Sequence, residues 1–479
     1  MQNRISAKSR ARISALTTTV CIGMTCLGAT SVSAQSLDAA NYDGGKARVN
    51  RALGLRGLSE RLASASCRFG AGIDVATAQV DLQQVHDNFD AILEGLEFGD
   101  RALGMPGAEQ TPRILHAIIK THEVWDPMEH AALAMLDGSS SAADDATIRD
   151  GYNALFTQAT NLAADVSGVY TNPQELLQSD ATVLNFADRQ RALAQRMTRA
   201  VCELASGTNN DETLGELIAT VDMFELSLTA LRDGMPAAGV NPPPNAVVKS
   251  SLESTYAIWQ ANRGIYDAIK AGDAASADDV IASYALTQDL SVGMNNAITL
   301  YLIATPGKDG IYRVPLEAYA ESELAKWATN PDVIAAIRAQ NIANAGMTED
   351  EVIAIDQQWR AEASGDGGPL MTSALENPLS LWLGEQQAAT AGFVTEVFVM
   401  DYLGLNVAQS APTSDYWQGD EAKHQKTYGV GPGALHISDI EFDDSTGFYQ
   451  SQASLTISDP DTGEAIGAIT FGINVQSLL

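Results

Sequence analysis

Basic residues and cysteines are scarce in this chain, and aromatic residues make up only 6% of it. Lys and Arg number 29 against 60 Asp and Glu, a net charge of −31 over 479 residues. A surface of that sign repels nucleic acid and anionic membranes, so neither is expected as a partner. Beyond the N-terminus no stretch has about twenty uninterrupted apolar residues, so the mature chain is not expected to span a membrane. The H-E-x-x-H, G-x-S-x-G, P-loop and dinucleotide-glycine patterns are also missing. His116, His122 and His130 share one predicted helix, but spacings of six and eight give no tight ligand face. Asp459, Asp461 and Gly463 begin like a calcium loop without its closing Glu, and read as a turn. The expectation is no enzyme, no metal and no cofactor.

What is present begins with Arg4, Lys8, Arg10 and Arg12, followed by the uncharged run ISALTTTVCIGMTCLGATSVSA. Basic, then apolar, then small residues ending in Val32-Ser33-Ala34 predict a signal peptide over 1–34 and a periplasmic mature protein. An uncleaved anchor is the alternative. Cleavage removes those four basic residues and leaves 25 against 60 acidic, a net charge of −35. It also removes Cys21 and Cys26. Cys67 and Cys202 remain, and an oxidising compartment invites them into one disulfide.

Those two cysteines end stretches that repeat each other. VNRALGLRGLSERLASASC (49–67) and LNFADRQRALAQRMTRAVC (184–202) share Asn, Ala, Arg, Leu, Arg, Ala and Cys at an offset of 135. Leu82, Phe89, Leu93, Leu96 and Gly99 recur as Leu217, Phe224, Leu228, Leu231 and Gly234. At an offset of 134, Trp125, Gly138, Asp144 and Asp145 match Trp259, Gly272, Asp278 and Asp279. This is an internal duplication, with copies over 35–172 and 173–306. Apolar positions three and four apart predict about four helices per copy, so each copy reads as an up-and-down bundle.

From 307 the pattern changes to helices over 315–360 and 371–390, then five β-branched runs. These predict a five-stranded antiparallel sheet in a C-terminal α+β domain, 307–479. TSDYWQGDEAKHQK, between the second and third runs, predicts a short helix with a Ser/Thr cap.

On the repeated helix, Arg56 and Cys67 are eleven residues apart and so lie within about 20° of each other. Small residues flank them, a stripe that lets a second helix approach. The economical partner is the other copy, with the two helices parallel about a pseudo-two-fold axis and Cys67 facing Cys202. Arg56 and Arg191 are then brought toward each other, and paired guanidiniums suit a small planar oxyanion. A structural role, solvated or paired with Glu60, Asp188 or Glu203, is the alternative for these arginines.

The pattern N-x-A-x-x-x-R-x-L-[SA]-[EQ]-R-[LM] resembles the signature helix of the type IV pili chemoreceptor (PilJ-type) sensor domain. It also resembles the periplasmic helix of nitrate/nitrite sensor kinases. The resemblance implies anion binding by Arg56 and Arg191, with Asn50 and Asn185 nearby, and structural roles for Arg61 and Arg196. Two positions depart from the pattern: Gly54 in the first helix and Asp188 in the second. The segment EVFVMDYLGLNVAQSAPTSDYWQGDEAK with the last two strand-like runs is similar to a Cache (PDC, PAS-like) sensor domain. That similarity implies a small polar ligand, such as an amino acid, amine or carboxylate, lined by Asp415, Tyr416, Trp417, Lys423 and Asp443. Together these resemblances imply an exported ligand-binding sensory protein that signals through a membrane-bound chemoreceptor or kinase. The second reading is a scaffold or adaptor, for pili or a receptor array, that binds no small molecule.

Overall fold

The computed structural model describes residues 44–170, 178–207, 210–304, 310, 312–365, 367–390, 392–443 and 448–475. The signal-peptide reading, Cys21 and Cys26 fall outside the described residues, and of Asn185 only the helical backbone is described.

The first copy consists of α1 (Gly45–Gly70), α2 (Val75–Phe98), α3 (Pro112–Leu136) and α4 (Ala142–Tyr170). The second consists of α5 (Gln178–Ala205), α6 (Asn210–Asp233), α7 (Ala246–Asn262), α8 (Gly264–Lys270) and α9 (Ala277–Ala304). The third helix of the second copy is thus broken at Arg263, where the first copy's runs on. Equivalent positions do equivalent work. Trp125 and Trp259 are both fully buried, each against the matching phenylalanine: Phe89 at 4.3 Å and Phe224 at 4.7 Å between ring centroids.

The turns repeat too. Gly99 and Gly234 end α2 and α6 with φ of 83° and 85°, and each is followed by an isolated antiparallel bridge, Asp100 with Met105 and Met235 with Val240. A Cβ at Gly99 would stand 2.6 Å from the backbone of Gly107, so both torsion and space call for glycine there. Ser141 and Asp144 open α4 as Ser276 and Asp279 open α9, each serine hydroxyl donating to its aspartate at 2.7 and 2.6 Å. These capping pairs stand 135 apart, so the sequence match of Asp144 to Asp278 is off by one residue from the structural equivalence.

After α9 come α10 (Arg313–Tyr319), a π-helical turn, α11 (Ala325–Ala328), α12 (Pro331–Ala343), α13 (Glu349–Ala363), α14 (Pro369–Leu375) and α15 (Pro378–Ala388). Most of their breaks fall at Pro, Asn or Gly. Asn330, Thr348 and Asn377 cap the helices that follow through their side chains.

The sheet holds β1 (Val394–Met400), β2 (Asn406–Gln409), β3 (Leu435–Ile437), β4 (Glu441–Asp443), β5 (Phe448–Ser458) and β6 (Ala465–Ile473). All pairs are antiparallel, in the order β2-β1-β6-β5-β3, with β4 also on β5. Six strands replace the expected five because the third run splits. The Ser438 hydroxyl accepts the Gln452 N–H at 2.8 Å, a side chain standing in where ladder pairing lapses between β3 and β4. The expected Asp-Tyr-Trp helix is also absent: only α16 (Ala422–Gln425) is helical, and its first residue has no Ser/Thr side-chain cap. Asp356 on α13 instead accepts the backbone N–H groups of Tyr416 and Trp417 at 2.8 and 3.1 Å, holding that stretch as a loop.

The fold is mainly α with a C-terminal antiparallel sheet. Its buried apolar residues form two main clusters. One fills the first copy; the other runs without interruption from α5 through α9 and α10 into the sheet.

Candidate functional site

The repeated helices α1 and α5 pack side by side and parallel. Cys67 and Cys202 form a disulfide with Cα atoms 6.2 Å apart. Seven residues earlier on α1, Glu60 is fully buried and takes Arg196 Nε at 2.7 Å, with Arg199 Nε at 3.6 Å. Burial raises the Glu60 carboxyl above its ordinary value, and the two guanidiniums oppose that rise. Burial likewise opposes the charge on Arg199, but Glu203, Glu60 and Glu216 outweigh it and raise its pKa. The seam is closed by cation–π stacking between copies, Arg68 over Tyr284 at 3.9 Å and Arg199 over Tyr152 at 4.2 Å.

Farther toward the start of both helices the seam opens into a cavity of about 330 Å³. It is lined by Arg56 of α1, Phe156 and Thr160 of α4, and Arg189, Ala192, Leu193 and Arg196 of α5. None of its described lining residues is a carboxylate. Arg196 is neutralised by Glu60 and lies over the Phe156 ring at 4.9 Å. Arg56, Arg189 and Arg196 thus bring three guanidinium side chains to one spot of a strongly acidic chain.

Arg191 does not line this cavity. Its Nη1 donates to Asn295 of α9 at 2.7 Å, inside the second copy. With the offset set by the capping pairs, the first-copy equivalent of Asn295 is Thr160, which lines the cavity beside Arg56. The equivalent of Arg189 in the first copy is Gly54. The two halves are thus unlike around their repeated arginines. Asn50 does not line the cavity either. Arg61 and Arg196 keep matching intra-copy ion pairs, with Asp81 and with Glu216.

In the C-terminal region a second cavity, of about 280 Å³, takes in three of the five expected lining residues: Asp415, Lys423 and Asp443. Glu396, Glu421 and Glu441 also line it, with Phe398 and three glutamines. Lys423 donates to Gln418 Oε1 at 2.9 Å, pairs with Glu421 at 3.0 Å and lies over Phe398 at 5.2 Å. Glu396 is almost wholly buried. Burial first, and the neighbouring Asp443 second, push its carboxyl up to about 7, against Lys423 and the amide of Gln450. Tyr416 and Trp417 are not brought here. Tyr416 lines a third cavity, and Trp417 donates its ring N–H to Leu403 O at 2.8 Å. Arg338 takes both Asp459 and Asp461, so the calcium-like stretch is an ion-paired turn.

Sequence reading did not single out Arg189, Thr160 or Glu396. For Arg189 a signal was available, since Gly54 is the poor fit in the first helix. Glu396 lies within a hydrophobic strand run and carried no such mark.

Among the described residues no helix is long and apolar enough to cross a membrane, and no group of three or more His, Cys, Asp or Glu is placed to hold a metal. Compared with known families, residues 175–284 match the N-terminal region of the type IV pili methyl-accepting chemotaxis transducers (PilJ). The matched range lies in the second helical copy and supports a sensory, signalling-type helical module there. No curated protein and no solved structure matches the chain.

Proposed function

We propose that this chain is a periplasmic sensory protein that binds a small planar oxyanion, such as nitrate or nitrite, beside Arg56 and reports to a membrane-bound chemoreceptor or kinase. In this reading, residues 1–34 are a cleaved signal peptide and 35–172 and 173–306 are the two sensor copies. Residues 307–479 then form a Cache-like domain. The observation that carries the proposal is the grouping of Arg56, Arg189 and Arg196 around one cavity in the seam between copies. Planar guanidiniums present paired donors that match an oxyanion, and partial burial strengthens each bond. The disulfide, and the sensory-family match over the second copy, support an exported signalling role.

Calorimetric titration of residues 35–479 with nitrate and nitrite tests it. One anion per chain is expected. Arg56→Ala and Arg189→Ala should each weaken binding by about tenfold or more, the scale of a lost hydrogen bond to a charged group. Arg191→Ala should leave it nearly unchanged, because Arg191 is engaged by Asn295. No heat with either anion would overturn the proposal and favour the scaffold reading.

A second reading rests on the acidic cavity. Five carboxylates and one lysine around an aromatic floor suit an amine or an amino acid, in line with a Cache-like role. Titration with a diamine and with a neutral amino acid, set against Asp443→Asn, checks it.

A further inference from the structure

The largest cavity described lies apart from both charged ones. It holds about 820 Å³ and is walled by α12, α13, α14 and α15, with β2 as its floor. One face of α12 supplies Ala336, Ala339, Gln340 and Ala343, spaced as a helix repeats. Three alanines where bulkier residues would close the gap leave the hollow open.

Its polar lining is largely spent on the protein itself. Gln340 donates to Asp401 at 3.0 Å and to the backbone of β2, Asn344 donates to Asp401 at 2.6 Å, and Asn377 caps α15. Asp332, the only charged residue among the described lining residues, is exposed. Two donors remain. Neither the Tyr416 hydroxyl nor the Trp382 ring N–H bonds to any described residue, and both side chains line the cavity. Burial holds the Tyr416 phenol up to about 12, so it keeps its proton.

An added peptide strand does not fit this floor, because the Asn406 N–H at the free edge of β2 is already taken by Tyr416 O at 3.0 Å. The volume lies within the range of pockets that enclose small organic ligands. We propose that this cavity binds an uncharged, largely apolar ring compound whose carbonyl or ether oxygen accepts from Tyr416 and Trp382. Anions are excluded, since no described lining residue is cationic, and ammonium compounds are disfavoured, since the lining carboxylate, Asp332, is exposed to water. The chain would then present chemically distinct sites for charged and uncharged molecules.

The test uses residues 35–479 and N-phenyl-1-naphthylamine, an uncharged probe that fluoresces in apolar surroundings. Saturable binding of one probe per chain is expected, displaced by the uncharged ketone 2-acetylnaphthalene and not by nitrate, glutamate or putrescine. Ala339→Trp fills the hollow from an exposed helix position and should abolish probe binding, with circular dichroism checking the fold. Tyr416→Phe removes the hydroxyl but little volume. It should weaken the ketone by about threefold to tenfold, the scale of one hydrogen bond, and leave the probe unchanged. Absence of saturable binding, or binding that persists in folded Ala339→Trp, overturns the proposal. If Ala339→Trp does not fold, an unchanged ketone affinity in Tyr416→Phe overturns it instead.

Discussion

Glu396 faces into the acidic cavity, where Gln450 and Gln452 donate to its Oε1 at 2.7 and 3.2 Å. Because its carboxyl is pushed up to about 7 from 4.5, the folded protein holds a proton that the unfolded chain releases. That stabilisation is complete below about pH 4.5 and is lost as pH rises toward 7, at up to about 1.4 kcal/mol per pH unit. Glu396→Gln keeps an acceptor and removes the titration. Its melting temperature should match the parent at pH 5 and exceed it at pH 8, as scanning calorimetry would show. A second residue-scale prediction concerns the unlike halves of the seam. A Cβ at Gly54 would meet nothing within 4 Å, so an arginine can be placed there. Gly54→Arg with Asn295→Thr gives the second half the arginine and the threonine of the first. Calorimetry should then count two anions per chain instead of one; a count that stays at one refutes the account of the asymmetry.

At the scale of elements, the bundle rests on repeated contacts between helices. Trp125 and Trp259 each fill the centre of a copy against a phenylalanine. Trp125→Ala or Trp259→Ala should each cost about 3–5 kcal/mol in denaturant unfolding, the usual range for a buried tryptophan replaced by alanine. These positions were readable in advance, because a buried aromatic recurring at a fixed offset marks a core that recurs with it. The helices of each copy were readable for the same reason: their apolar spacing is local to the chain. The Asp415-Tyr416-Trp417 segment was not. Its conformation is set by Asp356, about sixty residues away, which accepts its N–H groups. No local pattern encodes that bond.

On the scale of the whole molecule, two connections matter. The disulfide closes a loop of 135 residues, which the chain-entropy model values at about 4–5 kcal/mol. The double variant Cys67→Ser/Cys202→Ser should melt several degrees lower and show faster hydrogen exchange along α1 and α5. The other connection is the core shared by the second copy and the sheet, where Tyr301 and Ala297 of α9 belong with Tyr312, Leu316 and the strands. The first copy also touches this region: Arg51 donates to Thr390 O at 3.2 Å, and Tyr319 donates to Ala102 O at 3.0 Å. A fragment of residues 35–304 would expose that face of α9. It should bind a hydrophobic dye and associate in size-exclusion chromatography where the longer chain does not.

By itself the sequence determined that there are two helical copies, that their first helices pair, and that Cys67 meets Cys202. It also determined that a β-rich region follows. All of these rest on periodicity, repetition and the small number of cysteines, which the chain carries locally. Only the tertiary structure decided that the repeated arginines are unequal and that Tyr416 and Asp415 line different cavities. Where a long side chain settles depends on which acceptor stands opposite, as Asn295 does for Arg191, and that is fixed by helices packing together across more than a hundred residues of chain.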